Sequence, residues 1–164
     1  MQIKEIKALI FDWGDTIMRD FPEKSGPMYT WDKVEWIPGV QETLEEVYQQ
    51  YIVVIATNAG ASNTDDMIKA LERVGAEKYF SYFFSSKDLG YEKPDVRFFS
   101  TIAEQIGVPP ENCLMTGNLY NKDIVGAKAC GMKTVFFDEK RTNGYYPDVD
   151  LIIHSFEELI PVLG

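Results

Sequence analysis

The stretch Leu9-Ile10-Phe11-Asp12-Trp13-Gly14-Asp15-Thr16 decides the fold. A compact apolar run ends in a carboxylate, and a glycine and a threonine sit in the turn behind it. The run reads as a short strand. Asp12 then stands at the strand's carboxyl end, where a parallel sheet presents a nucleophile to a ligand. Taken alone, such a carboxylate is more often a helix cap or a solvated turn residue.

Outward from this segment, strand and helix patterns alternate almost throughout. The patterning predicts strands over Ile6–Phe11, Ile52–Ala56, Tyr82–Phe84, Cys113–Met115, Lys133–Phe137 and Leu151–Ile153. Ile52–Ala56 is β-branched and continuously apolar, as in a strand buried on both faces. Pro38-Gly39 starts a helix with Val40, Leu44, Val47 and Tyr48 at helical spacing. Ser62-Asn63-Thr64-Asp65 caps a second, with Met67, Leu71 and Val74 on one face and Gly75 as its stop. Pro94-Asp95 opens a third, ended by Gly107. Asp123–Cys130 is a small-residue helix closed by Gly131, and Phe156–Leu163 is a closing helix. The alternation implies right-handed βαβ units: an α/β, doubly wound, mostly parallel sheet with helices on both faces. Residues 1–164 form one domain. Residues 18–37 are long for a βα connection and too short for a second domain, so they read as a flap-like insertion. Its aromatics Phe21, Tyr29, Trp31 and Trp36 either pin the loop to the core or face a substrate or a second subunit.

A chain of 164 residues can bury about 70% of its unfolded surface. Hydrophobic residues make up 45% and charged residues 26%, as in ordinary globular proteins. No apolar run approaches the roughly 20 residues of a membrane span. The charged stretch Met1-Gln2-Ile3-Lys4-Glu5 does not read as a signal peptide. Cys113 and Cys130 lack metal-type spacing and sit in apolar patterns, as buried free thiols in a reducing cytoplasm do. A cytoplasmic protein without a membrane partner is expected. The net charge of −10, with no basic run, argues against nucleic acid, whose phosphates would be repelled. His154, the single histidine, lies far from every other feature of interest and receives no catalytic role.

Each of the first four strands carries chemistry at its end. The first ends at Asp12. The second ends at Thr57-Asn58 ahead of a helix start, where a hydroxyl, an amide and free N–H groups form an anion site. The third leads to Lys93, just before a helix start whose dipole disfavours a cation, a conflict that a bound anion would resolve. The fourth ends at Thr116-Gly117-Asn118 with Asp123 beyond, and their oxygens facing Asp12 could hold a hard cation such as Mg²⁺. Singly, these residues read as turn, cap or surface groups. In order, one set per strand end, they read as a site.

The same order resembles the four motifs of the haloacid dehalogenase-like (HAD) phosphotransferases. Asp12-Trp13-Gly14-Asp15-Thr16 is similar to the first, Thr57-Asn58 to the second, Lys93-Pro94-Asp95 to the third, and Gly117-Asn118 through Asp123 to the fourth. The resemblance spans nearly the whole chain. It implies a HAD-like Rossmannoid domain without a separate cap domain, and an aspartyl-phosphate formed on Asp12. It also implies Mg²⁺ held by Asp12, the Gly14 carbonyl, Asn118 and Asp123, with Thr57, Asn58 and Lys93 binding the phosphoryl group. The substrate would be a phosphorylated small molecule or a larger phosphorylated one, since capless members tend to take large substrates or to form a homo-oligomer over the site.

Two positions depart from the pattern. The family's general acid lies two residues after the nucleophile, where this chain has Gly14. General acid–base help is typically worth about 10²–10⁴ in rate. Asp15, one position later, either replaces that acid or is a turn carboxylate. Asn118 stands in place of an Asp and offers oxygen without charge. The sequence therefore predicts a Mg²⁺-dependent phosphatase, with the alternative of an impaired HAD-fold protein that binds a phosphorylated ligand or partner.

Overall fold

A computed structural model describes residues 2–164; Met1, part of the charged N-terminal stretch, lies outside the described residues. Six strands form one parallel sheet: β1 (Ala8–Phe11), β2 (Ile52–Thr57), β3 (Tyr82–Ser85), β4 (Cys113–Gly117), β5 (Lys133–Phe137) and β6 (Leu151–Ile153). Their spatial order is β3-β2-β1-β4-β5-β6. The chain builds outward from β1 in one direction, then returns to build outward in the other. That reversal opens a crevice at the carboxyl ends of β1 and β4, where doubly wound sheets bind ligands. The register aligns Phe11 with Ile55 on one side and Thr116 on the other. Asp12, Thr57 and Asn118 therefore emerge from the same edge of the sheet.

Alternation along each strand fills two cores. Leu9, Phe11, Val53, Ile55 and Leu114 face α1 (Val40–Val47), α2 (Thr64–Arg73), the flap and the C-terminal segment. Ala8, Ile10, Val54, Ala56 and Met115 face the short α3 (Ser86–Leu89), α4 (Val96–Ile106) and α5 (Val125–Cys130). Asn63 caps α2, with Asp66 returning the bond to the Asn63 N–H. No helix among the described residues is long and apolar enough to cross a membrane.

Several elements differ from expectation for physical reasons. Phe156–Leu163 is not a helix but two 3-10 turns, Phe156–Glu158 and Ile160–Val162. Pro161 lacks the N–H that a continuous α-helix would need there. Asp123 does not open its helix. A π-type turn spans Tyr120–Ile124, and α5 begins at Val125. Asp123 Oδ2 accepts the Leu119 N–H at 3.0 Å, which turns the carboxylate back toward the sheet. The first strand begins at Ala8 instead of Ile6, while β2, β3 and β4 run past their expected ends by one or two residues. Cys113 is a buried free thiol, pushed up to about 12 mainly by burial, but Cys130 is only half-buried.

The flap leaves β1 through a single turn in which the Trp13 carbonyl accepts the N–H groups of Thr16, Ile17 and Met18. It returns alongside itself, with Met18 bridged to Trp36 and the Arg19 N–H donating to Glu35. Trp36 packs near Tyr79, and Trp31 near Phe21. The Arg73 guanidinium on α2 donates to the carbonyls of Tyr29 and Trp31.

Candidate active site

Asp12 extends β1 by one residue, its N–H donating to Thr116 O at 3.1 Å. Its side chain is buried against the neighbouring strand ends. Lys93 Nζ donates to Asp12 Oδ1 at 2.8 Å and to Asp123 Oδ1 at 2.8 Å. These are a fully buried lysine and a fully buried carboxylate, with Asp12 at the cleft wall. Burial would push the Lys93 ammonium down, but the two carboxylates more than offset it and hold it up. Burial and then the Asp12 charge push the Asp123 carboxyl above the usual carboxylate range, against the opposing pull of Lys93. The expected conflict between Lys93 and the helix dipole is thus met by two carboxylates of the chain, not by an anion. Asn58 fixes the same lysine from behind. Its Oδ1 accepts the Lys93 N–H at 2.8 Å and its Nδ2 donates to the Lys93 carbonyl at 3.1 Å.

Two glycines make this convergence possible. A Cβ on Gly117 would overlap the Asp123 carboxylate, and one on Gly126 would overlap the Pro94 carbonyl and the Phe99 ring. Gly117 therefore leaves room for Asp123 under the end of β4. Gly126 lets α5 close onto the Lys93-Pro94 segment.

Asn118 faces Asp12 from β4. Its inward amide atom lies 3.0 Å from Asp12 Oδ2, 3.2 Å from the Gly14 carbonyl oxygen and 3.2 Å from Thr16 Oγ1. With nitrogen inward, the amide donates to Asp12 Oδ2 and to Gly14 O. With oxygen inward, the Asn118 oxygen stands from Asp12 Oδ2 and from the Gly14 oxygen at spacings close to the roughly 3 Å expected between adjacent ligands of an octahedral Mg²⁺ with bonds near 2.1 Å. Asp12, the Gly14 carbonyl and Asn118 therefore fit a hard divalent cation. Both oxygens of Asp123 are occupied, by Lys93 and by the Leu119 N–H. Among the described residues no three His, Cys, Asp or Glu side chains gather as a metal cluster.

The cleft of about 200 Å³ over Asp12 is lined by Gly14, Asp20, Thr57, Asn58, Lys93, Leu119, Lys122 and Asp123. Thr57 is buried, its hydroxyl donating to Asn58 O at 3.3 Å. Asp15 is absent from this cleft. It has a positive φ of 57° and lines a separate cavity with Arg19, Asn118 and Glu139. Its Oδ1 accepts the Asp20 N–H at 3.0 Å, so it serves there as a turn acceptor. Two lining residues carried no sequence signal, Asp20 and Lys122. Asp20 enters because the flap folds back over the turn after Asp12, and Lys122 because the π-type turn swings it to the mouth. Burial, then the charges of Asp15 and Asp12, raise the Asp20 carboxyl above its ordinary value. A second cavity of about 190 Å³ shares Gly14, Asp20, Thr57 and Asn58 with the first and runs on to Trp13, Met28 and Trp31. His154 lies apart from both, its Nδ1 2.9 Å from the Asp138 carbonyl.

A family model described as haloacid dehalogenase-like hydrolase matches residues 11–137. The chain belongs to this family. Among curated relatives, it is 35% identical over 72 residues to glyceraldehyde 3-phosphate phosphatase of Methanothermobacter thermautotrophicus, covering 44% of this chain and 32% of that protein. It is 32% identical over 108 residues to ribulose-1,5-bisphosphate 5-phosphatase of Halopiger xanaduensis, covering 65% and 44%. The chain thus spans 32% and 44% of the length of these two relatives. Among solved structures, a HAD phosphatase from Thermococcus onnurineus superposes with a TM-score of 0.80 at 20% identity, covering 97% of this chain and 98% of that one. At that identity the likeness establishes the fold alone.

Proposed function

We propose that this chain is a Mg²⁺-dependent hydrolase of phosphate monoesters or anhydrides that works through an aspartyl-phosphate on Asp12. The observation that carries the reading is the division of labour on one carboxylate. Asp12 Oδ1 is held by Lys93, while Oδ2 faces the Asn118 amide beside the Gly14 carbonyl. A nucleophile so fixed presents one oriented lone pair to an open cleft. Lys93 neutralises the buried pair and offers its ammonium to a phosphoryl oxygen. Thr57 and Lys122 stand at the cleft wall to meet the remaining oxygens, since phosphoryl transfer depends on positioning and charge stabilisation. Asp12, the Gly14 carbonyl and Asn118 would hold Mg²⁺, and the ion would supply neutralisation of the charge that gathers at the site.

The relatives named for phosphorylated small molecules support a substrate of that class. The cavity continuing to Trp13, Met28 and Trp31 has no basic side chain in its lining. It suits an uncharged, partly apolar ester group, whereas a second phosphate or carboxylate would find only Asp20.

The test is a screen of purified protein against acetyl phosphate and phosphomonoesters, with and without Mg²⁺, beside Asp12→Asn. Metal-dependent turnover that disappears in Asp12→Asn supports the reading; turnover surviving in that variant refutes the nucleophile. One observation favours a second reading. With its nitrogen inward, Asn118 satisfies Asp12 and Gly14 without a cation. A protein locked that way would bind a phosphorylated ligand without hydrolysing it. No wild-type turnover, with turnover gained in Gly14→Asp, would favour that alternative.

A further inference from the structure

Gly14 leaves the nucleophile's turn without the carboxyl group that would protonate a departing oxygen. We propose that Asp20, at the opening of the flap, supplies it. A Cβ built on Gly14 would lie 3.5 Å from Asp20 Cβ, 3.9 Å from Cγ and 3.7 Å from Oδ2. The Asp20 side chain thus fills the room beside residue 14. It lines the Asp12 cleft and the Trp13–Met28–Trp31 cavity together. An ester oxygen joining a phosphoryl group in one to an organic group in the other passes beside it. The Asp20 backbone is held by Asp15, while its carboxylate has no hydrogen-bond or ion-pair partner among the described residues. Asp15 has the opposite character, with its carboxylate engaged and its side chain in another cavity.

The step balances on these two side chains. As a carboxylate oxygen of Asp12 bonds to phosphorus, the bond from phosphorus to the ester oxygen breaks. The Asp20 carboxyl gives its proton to the electron pair left on that oxygen, and the alcohol departs. A water oxygen then attacks phosphorus, the bond to Asp12 breaks with its electrons returning to the carboxylate, and Asp20 takes the water proton. Ester and water become alcohol and phosphate, with both side chains restored.

The proposal rests on the phosphohydrolase reading, and a leaving-group comparison separates the two. Wild type, Asp20→Asn and the double variant Gly14→Asp/Asp20→Asn are assayed with p-nitrophenyl phosphate, whose phenolate leaves readily, and with glycerol 2-phosphate, whose alkoxide does not. Asp20→Asn should lower kcat/KM for glycerol 2-phosphate by about 10²–10⁴, and for p-nitrophenyl phosphate by far less. The double variant should recover much of the loss, since φ at Gly14 lies outside the left-handed range. Equal losses on both substrates, or none on either, would overturn the role of Asp20 while leaving Asp12 chemistry standing. A wild type that turns over neither substrate would overturn both.

Discussion

The two walls of the cleft are built in opposite ways. On the sheet side, Asp12, Lys93 and Asp123 are joined by short bonds and shielded from water, with the half-buried Asn58 bonded to the Lys93 backbone. On the flap side, Asp15, Asp20 and Trp31 lie on irregular backbone and are partly or fully exposed, and the Asp20 carboxylate has no hydrogen-bond partner among the described residues. The comparison teaches where tolerance to change lies. A buried charge network cannot lose a member without stranding another charge. An exposed flap side chain such as Asp20 can be exchanged at little cost to stability. Gly14 marks the boundary, belonging to the sheet side through its carbonyl and to the flap side through its missing side chain.

The comparison breaks first at Asp12, the proposed nucleophile. Asp12→Asn should reduce Mg²⁺-dependent phosphomonoester turnover by about 10⁴ or more, read as released phosphate; retained turnover would place the chemistry elsewhere. Next is Lys93→Met, which leaves two buried carboxylates unpaired. It should lose about 3–5 kcal/mol of stability in urea unfolding, whereas Asp20→Asn should lose less than about 0.5 kcal/mol. Similar losses in both would erase the contrast between the walls. Gly117→Ala presses a methyl group on Asp123 and should cost about 1–3 kcal/mol in the same measurement. Asn118→Asp adds a charge to the cation site. It should lower the Mg²⁺ concentration for half-maximal thermal stabilisation by about tenfold, an effect of about 1.4 kcal/mol. The smallest change is expected in Asp15→Asn. With its cavity separate from the cleft, it should alter kcat/KM by less than about threefold, and an effect near that of Asp20→Asn would transfer the proton-donating role back to it.

Legibility follows the same division. The sheet wall could be read from the chain because β-branched runs announce buried strands, and the register of a parallel sheet then gathers their ends. Asp12, Thr57, Asn58 and Asn118 came together for that reason, and Lys93 and Asp123 reach the same edge through the short segments that follow β3 and β4. What escaped depends on side chains and local turns. Asn58 serves as a clamp on the Lys93 backbone, a pairing between residues 35 apart with no local pattern. Asp20 enters the cleft through a fold-back of the flap, which lacks periodicity to extrapolate. Pro161, by contrast, carried a local signal against the closing helix in its missing N–H.

The clasp of Arg73 on the carbonyls of Tyr29 and Trp31 has a consequence for how such a protein can diversify. Because the guanidinium grips main-chain oxygens, it is indifferent to which side chains the flap displays there. Residues facing the organic part of a substrate can therefore be swapped while their scaffold stays moored to α2, away from the nucleophile. Selectivity then becomes a replaceable fitting, and the proposed hydrolytic machinery can be inherited intact.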